Sequence, residues 1–436
     1  MTKRVAIATL GCKVNQADSA AIAEAIEGRG FSLVPFDQEA DIYIVNTCTV
    51  TARTDYQSRQ LVRRAARLNP AAAIVATGCY AQVAPESLRG LPGVVLVVGT
   101  AEKSRIPEMI AGLDLTRPGV VFVGDLSSAR TFARPGAIRF AGHTRAFLKV
   151  QEGCDARCRY CIVPLARGPS RSLPLPEALA KLKELGEAGY RETVLTGIHL
   201  GAYGRDLEPP TNLPLLLAAA EQQGGIERLR LSSVEPREVT EDLIALMRRS
   251  RIFCRHLHIP LQSGDDEILR RMGRDYDSAF YGALLSAVAA AVPDIALGAD
   301  VMAGFPGETR AQFAATCEFL RESQLAYLHV FPYSDRPGTE ASRMDGKVDA
   351  AEKKRRAQIL REIGQQKRRA FAERFLGREL SVLIEGRNAG GYVRGFSGNY
   401  IPVVLRHEGL DLTNRIVRVR IESFREERLH GIIAGA

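Results

Sequence analysis

Gln151-Glu152-Gly153-Cys154-Asp155-Ala156-Arg157-Cys158-Arg159-Tyr160-Cys161 is the stretch from which the rest of this 436-residue chain can be read. Its cysteines stand at C-x3-C-x2-C. Three thiolates at that spacing can ligate three corners of a cubane iron–sulfur cluster and leave the fourth iron without a protein ligand. A structural zinc site takes four closed ligands, so three thiolates and a vacancy describe either a catalytic zinc or a cluster with one open iron.

Outward from the motif, apolar runs recur at Phe147–Gln151, Thr193–Thr196, Leu229–Ser232, Leu257–Leu261, Ile295–Val301 and Tyr327–Phe331, each followed by helix or loop. Six such units predict a partial (βα)6 barrel, whose functional groups gather at the carboxyl ends of its strands. Polar punctuation falls there: the cysteine motif, Thr196-Gly197, Ser233 to Glu235, Gln262-Ser263-Gly264, and Asp300 with Gly304 to Glu308. Residues 351–376 read as one long basic helix, suited to a phosphate backbone or to a solvated face.

On the amino-terminal side, residues 1–112 alternate apolar runs (Val5–Leu10, Ile42–Val45, Ala73–Ala76, Val94–Val98) with helical stretches, which predicts a Rossmann-like parallel sheet in an α/β fold. Cys12, Cys48 and Cys79 each follow one of these strands. Ligands in open parallel sheets bind outside the carboxyl ends of the strands, so the three thiols should converge although they lie far apart in sequence. Gly11 and Gly78 allow close backbone approach, and Asn15, Gln16 and Asn46 are candidates to hydrogen-bond the sulfurs. Residues 113–142 read as a linker with a few short strands.

After Gly377 the pattern turns to short alternating strands, predicting a small all-β barrel over 377–436. Arg387, Tyr392, Arg394, Phe396, Asn399 and Tyr400 give it a mixture suited to stacking bases and holding phosphates. The composition, 46 % hydrophobic and 25 % charged, supports ordinary packed cores. A net charge of +9, from 59 Lys and Arg against 50 Asp and Glu, suits a polyanion or simple solubility. The opening Met1-Thr2-Lys3-Arg4 and its short apolar run are too brief for a signal-peptide core, and no membrane span follows, so the expected location is cytoplasmic. Eight cysteines in such a chain point to metal or redox use rather than disulfides. Cys254 and Cys317 have no partner pattern; Cys317 reads as a buried apolar residue.

With both cysteine sets in view, the chain resembles the methylthiotransferase family of radical S-adenosylmethionine (SAM) enzymes over essentially its full length. Tyr160, just before the last cysteine, belongs to that superfamily's pattern. Thr9-Leu10-Gly11-Cys12-Lys13-Val14-Asn15-Gln16, Asn46-Thr47-Cys48-Thr49-Val50-Thr51 and Leu195-Thr196-Gly197-Ile198-His199-Leu200-Gly201 are similar to the branch called MtaB. The resemblance implies two [4Fe–4S] clusters and SAM as cofactors. It also implies addition of a methylthio group to C2 of N6-threonylcarbamoyladenosine at position 37 of tRNA. That carbon's C–H is neither acidic nor electrophilic enough for acid–base or simple substitution chemistry, hence the radical.

By the same resemblance Cys154, Cys158 and Cys161 hold the SAM-cleaving cluster, and Cys12, Cys48 and Cys79 hold the cluster that carries the sulfur. Tyr160 would flank the SAM adenine and Thr196-Gly197 its amino group. A flavodoxin-like or similar external electron donor and a sulfur source are needed. The chain divides into 1–112 (auxiliary-cluster domain), 113–142 (linker), 143–376 (radical SAM domain with its basic helix) and 377–436, similar to the RNA-binding TRAM barrel, with Arg394 and Tyr400 as RNA contacts. Gly99-Thr100 and Asp155-Ala156-Arg157 depart from the family's usual residues without touching a thiolate. Competing readings are another branch of the family, acting on isopentenyladenosine or on a ribosomal-protein aspartate, and a non-catalytic RNA-binding electron-transfer protein. His199, His256 and His258 read as strand-end histidines rather than ligands. Asp300 and Glu308 read as SAM or substrate contacts, or as helix caps.

Overall fold

The computed structural model describes residues 2–112, 119–132, 139–140, 142–407, 409 and 411–434, except 388–390. Parts of the segment read as a linker, and the side chain of Arg387, lie outside the described residues.

Six parallel strands form the first sheet: β1 (Arg4–Thr9), β2 (Ser32–Val34), β3 (Ile42–Thr47), β4 (Ala73–Gly78), β5 (Val94–Val98) and β6 (Val120–Phe122), in the order β2-β1-β3-β4-β5-β6. β3 and β4 are buried along their whole length, as expected where helices cover both faces of a parallel sheet. Those helices include α1 (Lys13–Glu27), α2 (Ala52–Leu68) and the short α3 (Cys79–Val83). One face packs Tyr43, Val45, Ile74 and Ala76 against Val62 and Ala65 of α2. The other packs Val5, Ile42, Ile44 and Val75 against Ile22 and Ile26 of α1. β6 lies inside the stretch read as a linker. It pairs Val120–Phe122 with Leu96–Val98, so the sheet extends beyond residue 112.

The second unit begins with β7 (Arg145–Lys149) and a two-residue ribbon, β8 (Gln151–Glu152) with β9 (Arg171–Ser172). β10 (Glu192–Thr196), β11 (Arg228–Leu231), β12 (His256–His258), β13 (Ala296–Ala303) and β14 (Tyr327–Pro332) follow. They pair as β11-β10-β7 and β12-β13-β14, and single bridges Leu229↔Phe253 and Ser233↔His258 join the two halves into an open six-stranded arc. The open side is spanned by the first sheet. Lys149 of edge strand β7 pairs with Asp18 of α1 at 2.6 Å, and Arg336, beyond edge strand β14, reaches Asp55 of α2 at 2.6 Å.

The third unit is a closed barrel of β15 (Glu379–Arg387), β16 (Tyr392–Ser397), β17 (Pro402–Arg406), β18 (Ile416–Arg425) and β19 (Arg428–Ile433), ordered β15-β16-β17-β19-β18. It follows the 24-residue helix Ala350–Glu373. Its core is continuous with Phe371, Phe375, Ala296, Ala326 and Tyr327. Arg228 at the start of β11 donates to the Ser381 carbonyl, and Arg230 to those of Ser397 and Gly398. The barrel is therefore docked beneath the amino-terminal ends of the central strands. Among the described residues no helix is long and apolar enough to cross a membrane.

Candidate active site

Because β1, β3 and β4 are adjacent and parallel, their carboxyl ends bring Cys12, Cys48 and Cys79 to one edge of the sheet. Gly11 has φ +97° and a Cβ there would stand 2.8 Å from Cys48 Sγ; Gly78 has φ +98° and its Cβ would stand 2.3 Å from the Thr47 carbonyl. Only glycine permits both the left-handed turn and the close approach. Burial first, then the neighbouring Cys79, pushes the Cys48 thiol up to about 11. Asn15 and Asn46 do not direct their amides to sulfur. Asn15 Nδ2 donates to the carbonyls of Leu10 and Thr47, and Asn46 Nδ2 donates to the Asn15 carbonyl and Ser19 Oγ, knitting the cysteine turns together.

The donor to sulfur is a residue the sequence did not single out. Arg167, fully buried, donates from Nε to Cys79 Sγ at 3.1 Å, and its other nitrogens engage Asn15, Asp18 and Glu152. Lys103 and Lys149 complete this buried network around Asp18 and Glu152. Burial alone would raise the Glu152 carboxyl, yet Arg167 and Lys149 hold it at about 2.

Cys154, Cys158 and Cys161 line one cavity of about 580 Å³ on the loop between β8 and the helix Val163–Arg167. Burial pushes the Cys161 thiol up to about 12. Each of the other two has one cationic or imidazole neighbour. Arg274 donates to Cys158 Sγ at 3.2 Å, and His199 Nδ1 lies 3.4 Å from Cys154 Sγ with its Nε2 2.9 Å from Glu238. His199 is thus a neighbour of a thiol, not only a strand-end residue.

Among the described residues only His258, Asp300 and His329 bring three ligand-type atoms within 4.8 Å of one another. Neither cysteine trio is such a group, and three free thiols in each are the donor set of a cubane cluster with one open iron.

The central strands also hold a cluster of mostly buried polar side chains. Arg230 pairs with Glu192 at 2.7 Å; Tyr327 Oη lies 2.8 Å from His256 Nε2 and 3.0 Å from His258 Nδ1. His258 and His329 stand 3.1 and 3.5 Å from Asp300. Burial would raise that carboxyl, but hydrogen bonds to the two histidines hold it well below the usual carboxylate range. Glu308 faces elsewhere. It accepts from the Gly304 N–H and pairs with Arg356, a buried structural role.

Tyr160 packs beside Ile268, Met272, Phe305 and Tyr333. Thr196 is buried at the end of β10, and Gly197 abuts Gln151, where a Cβ would stand 2.9 Å from that side chain. Arg394 is exposed on β16. Tyr400 turns inward instead: its ring lies 4.7 Å from that of His256, 4.7 Å from the Arg230 guanidinium and 5.5 Å from that of Arg145. Cys254 and Cys317 are buried.

A family model, the Uncharacterized protein family UPF0004, matches residues 4–99, and the Radical SAM superfamily matches residues 148–320. The chain is 38 % identical over 421 residues to the threonylcarbamoyladenosine tRNA methylthiotransferase MtaB of Bacillus subtilis (strain 168), covering 96 % of this chain and 93 % of that one. Its counterpart from Aquifex aeolicus (strain VF5) is 38 % identical over 418 residues, covering 96 % and 100 %. In fold the chain is similar to the radical SAM methyltransferase TsrM from Kitasatospora setae, solved with cobalamin and a [4Fe–4S] cluster. The TM-score is 0.57 at 16 % identity, covering 78 % of this chain and 77 % of that one.

Proposed function

Since the chain belongs to the MtaB family of threonylcarbamoyladenosine tRNA methylthiotransferases within the radical SAM superfamily, we propose that it transfers a methylthio group to C2 of N6-threonylcarbamoyladenosine in tRNA. The observation that carries this reading is the presence of two three-thiol sites, Cys12, Cys48 and Cys79 at the carboxyl ends of β1, β3 and β4 and Cys154, Cys158 and Cys161 around one cavity. When bound, two [4Fe–4S] clusters and SAM supply the radical and the sulfur that a purine C–H demands.

Cys154, Cys158 and Cys161 hold one cluster and Cys12, Cys48 and Cys79 the other. Arg274 and Arg167 each set a guanidinium against one cysteine sulfur, Cys158 and Cys79 respectively. Tyr160 and Thr196-Gly197 hold SAM beside the first trio, and Arg394 meets the tRNA backbone. Residues 1–112, 143–376 and 377–436 act as auxiliary-cluster, radical SAM and TRAM-like units. The protein works in the cytoplasm with an external reductant of the flavodoxin kind and a sulfur source.

Anaerobic reconstitution tests the reading. The expected result is about eight iron per chain, two cubanes, and conversion of threonylcarbamoyladenosine in tRNA to its 2-methylthio form by nucleoside mass spectrometry. Replacing Cys12, Cys48 and Cys79 by alanine should halve the iron and leave SAM cleavage without thiomethylated product. Loss of a methylthio-isopentenyl nucleoside instead from a deletion strain would assign the chain to another branch.

A further inference from the structure

Besides the two cysteine trios, His258, Asp300 and His329 bring metal-ligating side chains together on the central strands. β12, β13 and β14 are neighbours in parallel register, with His258 opposite Gly298 and Asp300 opposite His329. Successive side chains of a strand alternate between faces, so the positions of Gly298 and Asp300 share one. Leu257, Ala299, Val301 and Leu328 point the other way, into the hydrophobic core.

The three ligand-type atoms lie within 4.8 Å of one another. His258 Nε2 is 3.1 Å and His329 Nδ1 3.5 Å from the same oxygen, Asp300 Oδ1. Ligands about 2.0–2.1 Å from one ion, at octahedral or tetrahedral angles, stand about 2.9–3.4 Å apart, so both spacings come close to the edge of a coordination sphere. A second observation is that His258 is held from behind. A Cβ on Gly298 would stand 2.0 Å from Tyr327 Cζ, and the tyrosine ring, lying where that Cβ is missing, brings its Oη within 3.0 Å of His258 Nδ1. A hydroxyl on one ring nitrogen fixes the imidazole and turns the other nitrogen towards an ion, as the outer partners of metal-bound histidines do.

We propose that these residues form a mononuclear site for a divalent transition-metal ion, held by His258 Nε2, Asp300 Oδ1 and His329 Nδ1, with Tyr327 as the positioning residue. Two imidazoles and one carboxylate are the donor set of zinc and non-haem ferrous sites that keep coordination positions open. The side chains of Asp300 and His329 are 26 % and 49 % exposed, so the open positions face water or an anionic oxygen of a ligand. Without an ion, the two rings satisfy Asp300 only if each places a proton on the nitrogen that faces it. The ion takes the place of both protons. Read in sequence, His258 is an ordinary strand-end histidine; the constellation exists only once the three strands pair.

The test uses anaerobic holoenzyme with both clusters in place, so that the cluster cysteines are engaged, and zinc as the probe. Equilibrium dialysis against Zn2+ followed by elemental analysis should find one zinc per chain beside the full iron content. Asp300→Asn and His329→Ala should each weaken zinc binding by at least ~10-fold, and Tyr327→Phe, which leaves all three ligands, by about 10-fold, with iron content and melting temperature at the wild-type level. X-ray absorption at the zinc edge of the wild type needs no variant, and it should show only nitrogen and oxygen neighbours at about 2.0–2.1 Å. Absence of bound zinc, zinc retained at full affinity by Asp300→Asn and His329→Ala, or sulfur at about 2.3 Å from the zinc each overturns the proposal. Neither tRNA nor SAM is present, so those results leave the proposed function standing.

Discussion

Arg274 and Arg167 do the same local work under different constraints. Arg274 Nη1 is 3.2 Å from Cys158 Sγ, its Nη2 meets the half-buried Glu235 and its Nε donates to Tyr276 Oη. Arg167 holds Cys79 but also neutralises Asp18 and Glu152, both buried. Replacing Arg167 would strand two buried carboxylates, so Arg274→Met is the cleaner probe of what a guanidinium does to a thiolate ligand. Removing that donor disfavours the more negative, reduced form of a cluster on the trio, since hydrogen bonds to cluster sulfurs help set its potential. A redox titration followed by electron paramagnetic resonance should show the midpoint moving to more negative potential, with the iron content retained.

At the scale of the element, α1 joins the two cluster-binding units. Its amino end carries Cys12 and Lys13, one flank presents Asn15 and Asp18, and Ile22 and Ile26 fill the sheet core. Asp18 anchors Lys103, Lys149 and Arg167, so one turn of helix fixes β7 and the helix Val163–Arg167 against the first sheet. The folded-state pKa values of Asp18 and Glu152 are depressed. Their contribution to stability is therefore fully present above the usual carboxylate range, near pH ~4.5, and is lost as the pH falls towards about 2. Glu152→Gln should lower the unfolding free energy at pH 7 by about 3 kcal/mol for breaking a buried pair, read as a lower urea midpoint. It should also flatten the dependence of that midpoint between pH ~4.5 and 3, measured by circular dichroism.

For the whole molecule, a formal charge of +9 is consistent with a long anionic partner, but position decides which cations meet it. Arg394 is exposed on the outer wall of the terminal barrel, whereas Tyr400 packs on His256 and Arg230. Arg394→Ala should weaken tRNA binding alike for modified and unmodified anticodons and reduce the slope of log K against log salt by about 1. Thermal stability should not change. Anisotropy titrations at several salt concentrations check this, and a loss confined to threonylcarbamoylated RNA would place Arg394 at the base instead of the backbone.

What the sequence determined alone was whatever has a local signature. The spacing of Cys154, Cys158 and Cys161 is local, and so is the apolar run–glycine–cysteine phrase that put Cys12 and Cys79 at strand ends. Parallel pairing then had to bring them together with Cys48, because adjacent strands end level. Alternation likewise predicted the terminal barrel, although β3 and β4 run two residues beyond their apolar cores to Thr47 and Gly78, since ladder pairing continues there. Tertiary structure alone decided the rest. Arg167 and Cys79 are 88 residues apart, Arg274 and Cys158 116, and Val120 joins the first sheet only because β5 offers an edge. A charge or a ring leaves no periodicity by which its distant partner can be read, so which cation guards a thiol is fixed only when the units dock.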